Sequence, residues 1–143
     1  MAKINPYLTF ESGTEEAFNF YKSVLGGEFV GGINKFRDMP DSEKLSEADK
    51  EKVMHVTLAF GENMLMASDM LDTPDCPKPI KGNNISLSVT AESKEEADKI
   101  FNGLSNGGTI TMPIADTFWG AYFGMFTDKF GINWMVNYDY PQA

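Results

Sequence analysis

The sequence contains one cysteine and one histidine in 143 residues, and no apolar run approaches the roughly 20 residues that a membrane helix needs. A single cysteine, Cys76, excludes an intramolecular disulfide and predicts a reducing, cytoplasmic location. Cys76 lies in a proline-rich stretch with no helix start or basic cluster beside it. We therefore expect an exposed, inert thiol. The first residues lack a basic segment followed by an apolar one, so no secretory signal is predicted.

Basic residues are also scarce, since 12 Lys and Arg face 21 Asp and Glu for a net charge of −9. A protein this acidic repels phosphate backbones, which argues against a nucleic-acid partner, and the absence of a long apolar run argues against a membrane partner. The hydrophobic fraction of 42% is ample for a packed interior. Length and composition together predict one compact domain, or two half-domains that share a core.

What the sequence does contain is a repeated helix. Residues 14–27 read TEEAFNFYKSVLGG and residues 94–108 read KEEADKIFNGLSNGG, with Glu-Glu-Ala in both. Thr14 and Ser93 are predicted N-caps with acidic residues behind them, and a glycine pair ends each helix.

Strands surround both helices in the same order. Alternation and turn residues predict them at 3–10, 28–36, 52–60, 62–68, 84–91, 109–115, 119–127 and 132–138. Each half thus reads strand, helix and three strands, which predicts an α+β fold of two βαβββ modules, 1–69 and 84–143, joined by a connector at 70–83. Because neither module can close its own core, we expect a curved mixed sheet, or half-barrel, with the helices outside and a cleft between the halves.

Three stretches resemble the vicinal oxygen chelate superfamily, which includes glyoxalase I, extradiol dioxygenases and the fosfomycin and bleomycin resistance proteins. They are INPYLTFESGTEEAFNFYKSVLGGEF, VMHVTLAFGENMLMASD and FWGAYFGMFTDKFGINWMVN. The similarity is strongest to the PhnB-like branch, often labelled demethylubiquinone methyltransferase-like. This resemblance implies paired βαβββ modules and a homodimer, but for function it is an analogy, since the superfamily spans many activities.

In metal-dependent relatives each half supplies two ligands, usually histidine or glutamate, from its first and last strands. By motif position the resemblance places these ligands at Asn5 and Met66 in the first half and at Asn84 and Met135 in the second. Two amides and two thioethers do not offset the dehydration of a divalent ion, for which imidazole, thiolate and carboxylate are the usual ligands. No metal and no other cofactor is therefore expected.

Strand alternation identifies the residues that share a face with this quartet, and that face is polar but almost uncharged. Val56 and Leu58 take the opposite, core face of their strand, which turns His55 toward the cleft. His55 could act as a general base or a lone ligand, or it could simply be hydrogen-bonded, the plainer interpretation. The candidate ligand-binding residues are Tyr7, His55, Met66, Ser86, Trp119, Phe123 and Met135.

Several of these candidates also have structural interpretations. Trp119 and Phe123 could stack on a planar ligand or belong to the core. The methionines could form an adaptable wall or fill the interior. Three aspartates at strand ends (Asp69, Asp116 and Asp128) are interpreted as turn caps rather than catalysts.

Four functions compete on this evidence. The first is a metal-free protein that binds a small molecule in the cleft. The second is an enzyme, either a divergent lyase, isomerase or dioxygenase with a metal, or a cofactor-free one that uses His55. The third, a methyltransferase, is disfavoured because the glycine-rich strand-to-helix loop of a doubly wound nucleotide-binding fold is missing. The fourth is a purely structural homodimer.

Overall fold

The computed structural model describes residues 1–142, and the chain divides into two units between Ile80 and Lys81. This boundary falls within the connector predicted at 70–83. Each unit contains one long helix and one mixed sheet.

The first unit holds five strands and two helices. In chain order these are β1 (Tyr7–Phe10), α1 (Thr14–Leu25), β2 (Glu28–Phe29), β3 (Asn34–Lys35), α2 (Glu47–Lys50), β4 (Val53–Phe60) and β5 (Asn63–Asp69). Two 3₁₀ turns, Phe36–Asp38 and Ser42–Lys44, lie between β3 and α2. The sheet order is β1-β5-β4-β2, with β3 also paired to β4. Only β1 and β5 run parallel, and the other pairs are antiparallel.

The second unit holds four strands and one helix: β6 (Leu87–Thr90), α3 (Lys94–Ser105), β7 (Thr109–Asp116), β8 (Ala121–Thr127) and β9 (Asn133–Asp139). Its sheet order is β6-β9-β8-β7, again with the first strand parallel to the last. The two units therefore share one topology, in which the second strand of the first unit is split into β2 and β3. The prediction of an α+β fold built from two βαβββ modules is confirmed.

Each helix covers one face of its own sheet. In α1 the buried hydrophobic side chains are Ala17, Phe18 and Tyr21, spaced one and three residues apart as one face of a helix requires. In α3 the same face is formed by Ala97, Ile100, Phe101 and Leu104. These residues pack on alternate strand positions, among which Leu58, Val56, Phe126 and Val136 are almost completely buried. Burial of such side chains contributes about 1.5–3 kcal/mol each.

The first strands are shorter than predicted. β1 begins at Tyr7 rather than at residue 3, and β6 begins at Leu87 rather than at residue 84. Ile4 and Ile85 are 99% and 76% exposed, so the alternation that predicted longer strands comes from side chains outside the unit's own core. Each strand starts where its parallel ladder to the last strand of the unit starts.

The predicted N-cap of α1 is wrong, whereas that of α3 is confirmed. Ser93 caps α3, and its hydroxyl accepts a hydrogen bond from the Glu96 N–H at 3.1 Å. In α1 the cap position belongs to Gly13, with φ of 88°, and Thr14 is the first helical residue. Thr14 is completely buried and hydrogen-bonds a carboxylate from β5 instead of its own helix. The hydroxyl of Thr14 is therefore paired through a tertiary contact rather than within its own helix.

Candidate functional site

One face of the first sheet carries the candidate residues of that unit. The ladder pairs Tyr7 with Met66 across β1 and β5, and Thr57 with Met66 across β4 and β5. Directly paired residues point to the same face of a sheet, so these three side chains form a row across three strands. His55 precedes Thr57 by two residues and therefore shares that face. The sequence-based placement of Tyr7, His55 and Met66 on one face agrees with this register.

His55 is hydrogen-bonded through both ring nitrogens. Its Nδ1 lies 3.3 Å from the Tyr7 hydroxyl, and its Nε2 lies 3.0 Å from the Thr57 hydroxyl. The rings of Tyr7 and His55 are in contact, with centroids 5.8 Å apart. Tyr7 is half exposed and Thr57 is buried, so the chain of three groups runs from the surface into the sheet.

Thr57 was missed by the sequence reasoning. A signal for it exists, because a polar residue two positions after His55 on a strand must share its face. What the sequence does not give is the direction of the imidazole ring, which decides that Thr57 rather than a residue on a neighbouring strand is its partner.

The second sheet has a corresponding face. Met135 pairs with Ser88 on one side and with Met125 on the other, and Phe123 pairs with Asn137. Trp119 was predicted within a strand but lies in the turn before β8, where Gly120 has φ of 86°. Its ring still contacts Phe123, with centroids 6.0 Å apart and an interplanar angle of 65°. Ser86 lies just before β6 and is half-buried.

The inferred equivalence of Asn5 and Asn84 is wrong. Both residues are exposed and precede the strands in which they were predicted. The ladders place Tyr7 opposite Met66 and Ser88 opposite Met135. Counting back along each strand, the residue equivalent to Asn5 is Ser86, so Asn84 lies two residues out of register. The motif alignment failed because the ladder, not the distance along the chain, sets which positions correspond.

The residues at these positions do not fit the metal ions that the superfamily often holds. With the ladder partners included, they offer phenol, hydroxyl, amide and thioether groups. Among residues 1–142 no group of three or more His, Cys, Asp and Glu side chains is arranged to hold a metal. Neutral hydroxyl and thioether groups are poor ligands for Mn²⁺, Zn²⁺ or Fe²⁺. The donor set is therefore unsuited to a divalent transition metal.

Two of the strand-end aspartates have different structural roles. Asp128 is a turn cap, as predicted, and accepts from the N–H groups of Phe130 and Ile132. Asp69 is not a turn cap but a buried acceptor that connects three elements. Its Oδ1 accepts from the Thr14 N–H and hydroxyl at 3.1 and 2.7 Å, and its Oδ2 accepts from the Val53 N–H at 2.9 Å. This carboxylate therefore links the start of α1 to β4 and β5.

The third aspartate, Asp116, ends β7 and accepts a hydrogen bond from the Tyr140 hydroxyl. A second pair of this kind joins the Tyr122 hydroxyl to Asp98 of α3 at 2.5 Å. In both pairs the hydrogen bond to the carboxylate stabilises the neutral phenol, which raises the pKa of Tyr122 and of Tyr140 from 10.0 to about 12. These tyrosines stay protonated at neutral pH and serve as hydrogen-bond donors.

A shallow groove of about 720 Å³ lies elsewhere in the first unit, beside the start of α1. Lys35 lies in this groove and forms ion pairs with Glu15 at 3.4 Å and Glu51 at 3.5 Å. Exposed pairs of this kind contribute little to stability. The groove contains none of the candidate residues predicted from the sequence.

Comparison with known proteins identifies the family. The model of the 3-demethylubiquinone-9 3-methyltransferase family matches residues 2–137. The chain belongs to this family. A curated relative, protein YjdN of Escherichia coli K12, is 30% identical over 94% of this chain and 93% of its own length.

Solved structures agree with this membership. Protein PA1353 of Pseudomonas aeruginosa is 43% identical, with a TM-score of 0.83 over 97% of this chain and 98% of its own. The PhnB protein of Bacillus cereus is 29% identical, with a TM-score of 0.76 over 96% of this chain and 99% of its own. The prediction of a PhnB-like member is confirmed.

The fold is that of the vicinal oxygen chelate superfamily. A Burkholderia phytofirmans enzyme of the glyoxalase, bleomycin resistance protein and dioxygenase family has a TM-score of 0.63 over 94% of this chain and 97% of its own. At 15% identity this likeness concerns the fold alone. Within residues 1–142, none of the helices has the length and apolar character that crossing a membrane demands.

Proposed function

We propose that this member of the family is a small-molecule binding protein that works without the metal of its superfamily relatives. The proposal is supported by the sheet face that each unit's own long helix leaves uncovered. In the first unit this face offers Tyr7, His55 and Met66. In the second unit it offers Phe123 and Met135, and Trp119 contacts Phe123 from the adjoining turn. These groups are aromatic, polar or thioether, and none of them is an acidic side chain.

The observation that carries the proposal is the arrangement around Trp119. Trp119 is 54% exposed, and its ring is in T-shaped contact with the rings of Phe118 and Phe123, with centroids 5.0 and 6.0 Å apart. A large aromatic side chain that neighbouring rings hold in place while about half of it stays exposed presents a surface for stacking. Met125 and Met135 lie next to each other on the same sheet face and add flexible apolar contacts. A planar or partly aromatic ligand suits such a surface.

The protein's two tryptophans provide the test. Trp134 is 2% exposed, and its indole N–H donates to Asp128 at 2.8 Å, so a ligand on the sheet face should leave it unaffected. Native mass spectrometry of the protein as isolated would identify a co-purified molecule, and titration with that molecule should change the emission of Trp119. The change should persist in Trp134→Phe and disappear in Trp119→Phe. Absence of any bound molecule, together with an unresponsive Trp119 across a library of planar aromatic compounds, would contradict the proposal.

A second candidate function is catalysis through His55 without a cofactor. The specific observation in its favour is the hydrogen bond from His55 to the half-exposed Tyr7, since such a pair can move a proton. If the protein turns over the molecule found by mass spectrometry, His55→Ala should abolish turnover. A His55→Ala variant with unchanged turnover would exclude His55 as the catalytic group, and a molecule that is bound but never converted would leave the binding function alone.

Methyl transfer is the activity that the family's description names, and we rank it last for this chain. Each unit has a mixed sheet with one parallel pair, not the doubly wound parallel sheet that places a nucleotide at a glycine-rich loop. Calorimetry with S-adenosylmethionine tests this ranking directly, and saturable heat would reverse it. The homodimer and the cytoplasmic location stay predictions, which sedimentation and cell fractionation would test.

A further inference from the structure

The hydrogen bonds of Thr57, His55 and Tyr7 can run in either of two directions. A neutral imidazole has one N–H and one acceptor nitrogen, so it donates at one end of the chain and accepts at the other. If Thr57 donates to Nε2, then Nδ1–H donates to Tyr7, and the Tyr7 hydroxyl hydrogen is free for a third group. If Tyr7 donates to Nδ1, then Nε2–H donates to Thr57, and the Tyr7 oxygen offers only its lone pairs.

The difference in burial between Thr57 and Tyr7 favours one of these two hydrogen-bond directions. Thr57 is 7% exposed, and its hydroxyl lies 3.0 Å from His55 Nε2. If that hydroxyl only accepted, its hydrogen would be left unpaired in the sheet, which costs about 1–3 kcal/mol. Tyr7 is 48% exposed, so its hydroxyl hydrogen can reach solvent or a ligand at no such cost. The hydroxyl hydrogen without a partner in this chain of hydrogen bonds is therefore that of Tyr7, at the exposed end.

We infer that Thr57 fixes His55 as the Nδ1–H tautomer, and that Tyr7 thereby becomes a hydrogen-bond donor aimed at an oxygen acceptor of the ligand. The ligand class is a small molecule with a carboxylate or another oxyanion, or with a strongly polarised carbonyl. Successive donors in such a chain polarise one another, so the Tyr7 hydroxyl donates more strongly than an isolated phenol. His55 and Thr57 are positioning residues in this arrangement, and Tyr7 is the residue that contacts the ligand.

This inference rests on the proposed binding function and adds the chemistry of the recognised group. It also separates Tyr7 from the other exposed groups of the face. Thr9 lies on the same strand two residues on, pairs with Ser68, and is exposed. Its side chain provides a matched threonine control outside the chain of three groups.

The tautomer can be measured directly because His55 is the only histidine. A long-range ¹H–¹⁵N correlation spectrum of untagged protein, recorded where the imidazole is neutral, contains a single imidazole. We expect the protonated nitrogen to be Nδ1. Thr57→Val should shift the ratio toward the Nε2–H form by about tenfold, the equivalent of one hydrogen bond. Thr57→Ser and Thr9→Val should retain the wild-type form.

The ligand class is tested with benzoate and benzylammonium, two probes of similar size that carry opposite charges. The net charge of −9 disfavours benzoate, so general electrostatics work against the expected result. We expect benzoate to shift the His55 and Tyr7 resonances saturably and benzylammonium not to shift them. Tyr7→Phe should weaken benzoate binding by about tenfold or more, as expected for a lost hydrogen bond to a charged group.

Each outcome decides a separate statement. An Nε2–H tautomer in the wild type would overturn the inference even if the protein binds a ligand elsewhere on its sheets. An Nδ1–H tautomer with no benzoate response, or with an equal response to benzylammonium, would refute the oxyanion class. The proposed binding function itself is decided by the Trp119 experiment, which uses a different unit and a different probe. If Thr57→Val fails to fold, the wild-type tautomer and the Tyr7→Phe titration still decide the question.

Discussion

The helices α1 and α3 begin with the same Glu-Glu-Ala sequence, yet their first turns are stabilised in different ways. In α3 the solution is local, because Ser93 accepts from the Glu96 N–H and the Glu96 carboxylate accepts from the Glu92 N–H at 3.0 Å. In α1 no side chain caps the first turn from the cap position. The partner is Asp69, 55 residues further along the chain.

The difference shows that the first turn of an equivalent helix can be stabilised by neighbouring residues or by a tertiary contact. Residues 92–96 contain everything that the start of α3 needs, and a short peptide could form those bonds. The start of α1 depends on β5 being in place, and Asp69 also accepts from Val53 at the start of β4. A repeat in sequence can therefore preserve the helix while the contacts that stabilise its first turn change.

The two helices end in the same way, each followed by a glycine that lies close to a strand of its own sheet. Gly27 and Gly108 occupy corresponding places after α1 and α3. A Cβ on Gly27 would lie 2.2 Å from the Ala59 carbonyl oxygen, and one on Gly108 would lie 2.2 Å from the Thr127 carbonyl oxygen. Both positions require close approach of the chain to the central antiparallel strands, so both require glycine.

We expect the largest effects from Gly27→Ala and Gly108→Ala, which test this similarity. Gly27 also has φ of 89°, so its substitution combines a clash with a left-handed conformation and should cost about 4 kcal/mol of unfolding free energy. Gly108→Ala should cost about 3 kcal/mol from the clash alone. Urea denaturation measures both. The control is Gly31→Ala, with φ of 73° and open space around it, for which we expect about 1 kcal/mol. Comparable losses in all three variants would refute the close-approach argument.

The second prediction concerns the contrast between the two caps. Asp69→Ala leaves two buried N–H groups and the Thr14 hydroxyl unpaired and should cost about 3 kcal/mol. Ser93→Ala should cost about 1 kcal/mol, as at other helix N-caps. Asp69→Asn retains an acceptor for Thr14 but directs an amide NH₂ at the Val53 N–H, so an intermediate loss is expected. Equal losses for Asp69→Ala and Ser93→Ala would mean that the long-range cap contributes no more than the local one.

The third prediction concerns Asp128, the buried carboxylate of the second unit. Trp134→Phe removes the indole donor from its Oδ2 while the turn N–H groups still bind Oδ1. We expect a loss of about 2 kcal/mol from lost packing and the lost indole hydrogen bond. Thermal and urea unfolding measure it, and Trp119→Phe, at a half-exposed turn position, serves as the control with less than about 0.5 kcal/mol. A larger loss in the control would contradict the assignment of Trp134 to the core.

The smallest effect is the pH dependence of the two tyrosine–aspartate pairs of the second unit, Tyr122–Asp98 and Tyr140–Asp116. Because the folded state raises the pKa of Tyr122 above 10.0, to about 12, the folded state binds the proton more tightly than the unfolded chain. The stabilisation is therefore complete below pH 10 and is lost as the pH rises to about 12. The advantage of wild type over Tyr122→Phe in unfolding free energy should shrink across this window. The control is Tyr7→Phe, because the Tyr7 hydroxyl contacts a histidine instead of a carboxylate. A constant difference from pH 8 to 12 would contradict the direction of the shift.

Much of the fold was predictable because its signals are local. The Glu-Glu-Ala repeat, the glycine pairs and the period-2 strands identify two βαβββ modules without any tertiary information. Alternation also placed Tyr7, His55 and Met66 on one face. Alternation wrongly placed Asn5 and Asn84 within strands, because polar and apolar residues continue to alternate before the first paired residue of each ladder.

The candidate site was less predictable because it depends on register and side-chain direction. Spacing places Thr57 on the same face as His55, but only the structure gives the direction of the imidazole ring toward the Thr57 hydroxyl. That Ser88 lies opposite Met135 follows from the register of β6 and β9, and a shift of two residues in that register would leave the alternation of side chains intact.

The sequence by itself determined the two long helices and the order of helices and strands along the chain, because propensity and periodicity are properties of short segments. Only the tertiary structure decided that Asp69 starts α1, and that Thr57, His55 and Tyr7 form one chain of hydrogen bonds. The contacts of Asp69 with Thr14 and of Tyr7 with His55 join residues far apart in sequence, and their geometry is fixed by strand register and burial rather than by any local preference.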